Sequence, residues 1–272
     1  MKISKKIFLA AITAAAVAFV GCGAGGIGDE DIIKVSGSKG TIDYTNDTEN
    51  DYVRGVKKFS FKHTQSICHI TVDNVSAAGA SVIGYVFDEH KEDGLSDMYI
   101  AGLRVNKDKG DVVEYYVSYF DGITDEELTA NGKSFGTEYG VNSNGEWVEA
   151  KGNETTSNFN SLDKAQTAML VSGNKLDCYV AVLYDAENKV FDVGIYKVVA
   201  GLEDIEFNGE EKLDPNDKAL LESAFVAGGK IPAKDATNVK GTIGCYANVI
   251  KGYTVTGSWQ KTASKAAEVV EE

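Results

Sequence analysis

The sequence predicts an all-β protein, an antiparallel two-sheet sandwich or jelly roll with one or two short helices. Three observations lead there. Through most of the chain apolar residues recur at every second position, the period of a strand with one buried face. Glycine, asparagine and aspartate separate these runs at short intervals, and with 29 glycines against 2 prolines in 272 residues they must make the turns. Only two segments carry signals for both ends of a helix, and no repeat of fixed length is visible, which argues against a propeller or solenoid. Many antiparallel strands with few helices pack as two sheets face to face.

Taken in order, the chain opens with Lys2, Lys5 and Lys6, followed by fourteen uncharged, mostly apolar residues from Ile7 to Val20, then Gly21 and Cys22. Charge, length and small-residue flank are those of a signal peptide, expected over residues 1–21. The apolar run is shorter than the roughly 20 residues that a membrane-spanning helix needs. After it, Gly23-Ala24-Gly25-Gly26-Ile27-Gly28 has too little side chain to pack, and Asp29-Glu30-Asp31 keeps it solvated. Residues 22–32 therefore read as a tether, whose mean reach is roughly 16 to 19 Å. The β-sandwich domain is expected over residues 33–260, with a polar tail over 261–272.

Within the domain, "KKFSFKH" alternates Phe59 and Phe61 with polar neighbours, and "ICHITV" places Cys68, Ile70 and Val72 on one face. "ASVIGYVFD" over 80–88 is a third run. Segments 97–105 and 112–120 flank a turn ending in Gly110 and read as a hairpin. Segments 175–185 and 189–199 form another around Ala186-Glu187-Asn188, and 241–249 with 253–260 a last one. Weaker strands are expected at 136–141 and 146–150. A helix starts at Asp214 as N-cap with Pro215 behind it, carries Leu220, Leu221, Ala224 and Phe225 on one face, and stops at Gly228-Gly229. Thr124 and Glu127 form a capping box for a short surface helix.

Two resemblances follow from particular residues. Phe19-Val20-Gly21-Cys22 resembles a bacterial lipoprotein box, with Phe19 where leucine is commonest. That resemblance implies that Cys22 receives lipid and becomes the mature N-terminus, and that the protein sits in the bacterial cell envelope, anchored to a membrane, with the outer membrane or cell surface favoured. The order "YVFD", "MYIAGLRV", "EYYVSYFDGI", "LDCYVAVLYDAENKVFDVGIY" and "KGTIGCYANVIKGYTVTGSWQ" resembles the concanavalin A-like lectin and glucanase jelly roll over roughly residues 55 to 260. Carbohydrate-binding modules, lectins, glycosidases and adhesion domains share that fold.

Charge narrows the partners. Loss of the leader removes three lysines and no acid, taking the formal charge from −14 to −17. Such a chain repels phosphates and anionic headgroups, so nucleic acid is excluded as a partner and the membrane contact must be the lipid. Catalytic signatures are missing. A glycosidase of this fold needs paired carboxylates at alternate strand positions, and Glu49 with Asp51, or Glu203 with Glu206, lacks the full run. No G-x-S-x-G elbow is present, and His63, His69 and His90 follow no zinc spacing, so neither a metal nor a cofactor is expected. The acids Asp88-Glu89 with Glu92-Asp93, and Asp121 with Asp125 and Glu126, offer oxygens to calcium but lack the spaced loop pattern. Cys68, Cys178 and Cys245 alternate with apolar neighbours; they are buried thiols, or two of them pair and one is left over.

What remains is a binding protein. Met98, Ile100, Gly102 and Arg104 share the outer face of one strand, and Glu114, Tyr116, Ser118 and Phe120 that of the next. Arg104, Tyr116 and Glu114 would make a small platform for a sugar, or else a cross-strand pair shielding a tyrosine. Trp147 and Trp259 are further stacking candidates, or core plugs. The loops around Asp88–Asp93 and Asn142–Trp147 are the other place to look. The expected function is non-enzymatic binding of glycan or another envelope component. A structural or adhesion lipoprotein recognising a surface protein is the alternative, and a degenerate glycosidase the third. An aromatic groove lined by polar groups favours the first, a flat face without a cleft the second.

Overall fold

The computed structural model describes residues 32–106, 109–124, 126–127, 137–141, 147–149, 160–205, 207, 213–261 and 268–269. In chain order they form β1 (Ile33–Ser36), β2 (Lys39–Thr45), β3 (Tyr52–His63), β4 (Ser66–Val72), a single helical turn α1 (Val75–Ala78), β5 (Val82–Glu92), β6 (Leu95–Asn106) and β7 (Val112–Ile123). Then come β8 (Thr137–Val141), β9 (Trp147–Glu149), β10 (Asn160–Ser161), α2 (Lys164–Leu170), β11 (Val171–Ser172), β12 (Lys175–Asp185) and β13 (Val190–Lys197). The rest is α3 (Pro215–Ala224), β14 (Phe225–Pro232), β15 (Gly241–Ile250), β16 (Thr254–Lys261) and β17 (Glu268–Val269).

These strands make two sheets, and the described pairings are antiparallel throughout. One runs β1-β2-β16-β4-β12-β13-β14 with β11 on β12; the other runs β17-β3-β15-β5-β6-β7-β8-β9 with β10 on β7. The two-sheet sandwich expected from the sequence is the fold observed. Between the sheets lies one apolar layer, to which the first contributes Cys68, Ile70, Val180 and Phe191 and the second Ile83, Tyr85, Phe87, Tyr99 and Val117. Trp259 is fully buried in this layer as a core residue, and its Nε1–H donates to the Gly84 carbonyl of the opposite sheet at 2.7 Å. Cys68, Cys178 and Cys245 are all free and buried, and burial pushes each thiol well above its ordinary pKa.

The hairpins β6–β7 and β12–β13 pair as their turns predict, with Gly110 at φ 86°. The last expected hairpin does not form. β15 pairs with β3 and β5, whereas β16 pairs with β2 and β4, so the turn at Lys251-Gly252 carries the chain from one sheet to the other. Both strands send large residues into the same layer, Ile243 and Val249 from one side and Val255 and Trp259 from the other. Periodicity alone does not distinguish this corner from a hairpin. The capping box Thr124–Glu127 is present, with each backbone N–H reaching the other side chain at 3.1 Å.

The helix capped by Asp214 forms, but it ends at Ala224 and not at Gly228-Gly229. Phe225 is 46% exposed and begins β14, whose glycines lie inside the strand. Gly228 passes so close to the Val193–Gly194 backbone that no side chain fits, so these glycines serve strand approach, not helix termination. A further helix, α2, is one the sequence reading missed; Asp163 and Gln166 cap it reciprocally. Neither sheet leaves its second face wholly polar. Val82, Val86, Met98, Ile100 and Phe120 form a buried cluster on one, while Tyr179 and Tyr196 pack with Leu202, Phe207 and Leu221 on the other. The unbroken run Val82-Ile83-Gly84-Tyr85-Val86-Phe87 is that of a strand buried on both faces.

Leu221 docks α3, being 2% exposed. Leu221→Ala is expected to cost about 2 to 5 kcal/mol, read as a lowered melting temperature. An unchanged melting temperature would mean that the helix is not held by this face.

Candidate functional site

Strand β5 is continuous with the core as far as Phe87 and then breaks register. Its ladder with β6 shifts between Phe87 and His90, and its ladder with β15 shifts between Val86 and Glu89, opposite Gly244 and Thr242. Asp88 takes φ 51°, and Gly241 lies directly against it, so that a side chain at Gly241 would overlap the Asp88 and Glu89 backbone. Such a bulge bends the strand and redirects its side chains. Glu89 is turned inward and satisfied, accepting from Ser96 Oγ at 2.8 Å and pairing with Lys58 Nζ at 2.8 Å. Asp88 is also buried, at 7% exposure, and its Oδ1 lies 2.8 Å from His90 Nε2. The strand then turns at Asp93-Gly94, both with positive φ, which suits a two-residue hairpin loop.

Two other segments complete a groove. At the end of β7, Gly122 N–H donates to Asp97 Oδ1 at 2.6 Å, which sets Asp121 beside the hairpin. The segment after β14 is fastened by Tyr99, whose hydroxyl donates to the Pro232 carbonyl at 2.9 Å and accepts from the Lys234 N–H at 3.0 Å. Asp235 turns the chain by accepting from Thr237 N–H at 2.9 Å, bringing Asn238 Nδ2 within 3.2 Å of His90 Nδ1. Tyr119, tilted against Tyr99 with ring centroids 4.8 Å apart, lines the groove. The volume enclosed is about 670 Å³.

Its electrostatics follow from the bulge. Burial pushes the Asp88 carboxyl up, and the hydrogen bond that His90 donates to Asp88 pushes His90 up. Because Asn238 Nδ2 can only donate, neutral His90 accepts at Nδ1 and donates from Nε2 to Asp88. Protonation makes Nδ1 a donor, so Asn238 must then present its oxygen. His90 thus contributes stability that is fully present below its ordinary pKa of 6.5 and is lost as pH rises through the higher folded value. Six carboxylates line the groove, from Asp88, Glu92, Asp93, Asp97, Asp121 and Asp235, against three lysines.

The structure also places the residues singled out from the sequence. Arg104 and Glu114 face each other across β6 and β7, and Tyr116 lies across Gly102. Glu114 is fully buried: Oε2 accepts from Arg104 Nε at 2.7 Å and Asn106 Nδ2 at 2.9 Å, Oε1 from Lys109 Nζ at 2.6 Å and Ser161 Oγ at 3.0 Å. Both oxygens are occupied by the protein's own donors. Trp147 lies in β9, but its side chain, like residues 142–146 and Cys22, is outside the described residues. Glu49 is exposed beside Lys251, Glu203 accepts from Gly201 N–H, and Glu206 is outside the described residues. The histidines stay apart: His63 is buried, His69 stacks on Tyr179 and pairs with Asp177, and His90 is in the groove. Among the described residues no group of three or more His, Cys, Asp or Glu side chains is placed to hold a metal ion. Of the two acid clusters, Asp88, Glu92 and Asp93 meet Asp121 in the groove, whereas Glu89 is turned inward, Glu126 does not line it and Asp125 is outside the described residues; Lys234 and Asn238 join them without any motif of their own. Asp93-Gly94, a strong hairpin signal, would have pointed to this end of the sheet.

No family model matches the chain, and no curated protein matches it. Solved structures similar to it include a lectin-like domain, a carbohydrate-binding module and a lectin. A legume lectin-like domain from Entamoeba histolytica is 9% identical, with 85% of this chain and 84% of that one covered and a TM-score of 0.38. The CBM2 module of the evolved Dit of Lactobacillus casei BL23 phage J-1 is 6% identical over 85% of this chain and 73% of its own, at 0.36. Peanut lectin is 9% identical over 88% and 90%, at 0.31. All three are distant.

The enclosed carboxylate gives a pH-dependent prediction. Burial alone would raise the Glu114 pKa, but hydrogen bonds from Lys109, Asn106 and Arg104 outweigh it and hold the group at about 2, below the ordinary 4.5. Its contribution is therefore present above pH 4.5 and lost as pH falls toward 2. Glu114→Gln should destabilise by about 3 kcal/mol at neutral pH, since it leaves buried donors without their anion. Between pH 4.5 and 2 its melting temperature should fall less than that of the unaltered protein.

Proposed function

We propose that this is a bacterial envelope protein, held to a membrane by lipid on Cys22, which binds glycan without acting on it. The observation that carries the reading is the groove beside the Asp88 bulge. At about 670 Å³ it is the size of a small-ligand site. Carboxylates accept from hydroxyls, the Asn238 amide donates to them, and Tyr119 supplies a ring against which a sugar face can lie. A concave site favours an oligosaccharide over a flat protein surface. Because Glu114 has no oxygen left for a ligand, the groove is a better binding place than the Arg104–Tyr116 face. The non-catalytic part of the reading is supported by the sequence, which lacks the alternating carboxylate run of glucanases of this fold. The anchor is supported by Cys22 directly after the apolar leader.

Two measurements test this. On a glycan array, the full-length protein in detergent should select an oligosaccharide, and Tyr119→Ala should weaken its binding by about 0.5 to 1.5 kcal/mol in calorimetry. No selection on the array would overturn the glycan reading in favour of protein recognition. Cys22→Ala should move the protein from membranes to the soluble fraction, and its retention on salt-washed membranes would overturn the anchor.

A further inference from the structure

The groove already holds one ammonium group. Lys234 Nζ lies over the Tyr119 ring, 5.4 Å from its centroid, within the range of a cation–π contact. The backbone that carries it is fastened to the core through Tyr99. Facing it are twice as many carboxylates as lysines, and Glu92, Asp93 and Asp121 make no ion pair with another described residue. Asp88 is the buried member of the set. Its side chain lines the groove and accepts one hydrogen bond among the described residues, at Oδ1 from His90 Nε2, with none at the second oxygen.

This combination selects by charge. An anionic ligand meets net repulsion, and a neutral polyol uses the carboxylates only as acceptors for its hydroxyls and leaves their excess charge unpaired. An ammonium gains both the ring face and a charge-assisted hydrogen bond. We propose that the ligand of this groove carries a protonated amine. Within the glycan class inferred above, on which this rests, it is an amino sugar with its nitrogen free. The Lys234 ammonium holds the amine's place over Tyr119 until the ligand displaces it, and Asp88 receives the incoming charge.

Calorimetry of the full-length protein in detergent separates this from the glycan reading itself. The probes are a glucosamine tetrasaccharide, its N-acetylated counterpart and spermidine. The free-amine sugar should bind about tenfold more tightly than the acetylated one and lose about that factor in Asp88→Asn. Lys234→Met, on an exposed segment where folding is not at risk, should tighten the free-amine sugar about threefold. Lys91→Met removes another lysine of the groove lining and should do less. Equal affinity for the two sugars would overturn the amine inference while leaving the glycan reading intact. Binding of spermidine alone would overturn the glycan reading and the amino-sugar assignment while supporting a protonated amine as the ligand. An equal gain from Lys234→Met and Lys91→Met would overturn the place-holding role of Lys234.

Discussion

The two sheets are held in register by a hydrogen bond that crosses the core. Trp259 belongs to one sheet, and its indole N–H donates to the Gly84 carbonyl of the other. An indole buried in an apolar layer needs a partner for that N–H, and only a carbonyl facing inward at the right depth provides one. Gly40 makes room beside it, since the space a side chain would need there is already filled by Cys245 Sγ and the Trp259 ring. The three thiols behave as small hydrophobes around this layer, with their reactivity suppressed by burial.

Gly84 lies in the strand that also builds the groove, so the core and the site are one continuous piece. Phe87, the last inward residue before the bulge, stacks on Tyr99 at 5.0 Å and meets Phe191 edge-on at 5.6 Å. The next residue is Asp88. Tyr99 belongs to both regions: its ring is in the core and its hydroxyl fixes the segment that carries Lys234 and Asn238. Groove residues are thus positioned by groups that cannot move without opening the core, and preorganisation of this kind lowers the ordering cost of binding.

Two buried carboxylates only a few strands apart illustrate how surroundings decide role. Glu114 is surrounded by donors, stays ionised to about pH 2, and cross-links β6, β7 and β10. Asp88 has one donor, and burial raises its pKa instead. The first is complete without a ligand. The second is a carboxylate whose charge is under-compensated by the protein, in a groove open to solvent.

Much of the fold was legible in the sequence alone. The two-residue period over β4, β6 and β7, the turn at Gly110 and the cap at Asp214 each rest on local chemistry, which neighbouring residues determine. So does the inward placement of the cysteines. Helix α2 is legible too, through the capping pair Asp163 and Gln166. Only the tertiary structure decided where β15 and β16 part into different sheets, why Gly228 lies inside a strand, and which acids meet. Asp88, Asp121 and the segment of Lys234 and Asn238 are separated by tens of residues, and no local rule brings them together. Their meeting depends on which strands pair and where β5 bulges. Those features are set by how side chains from both sheets fill one shared layer, and that is a property of the whole chain.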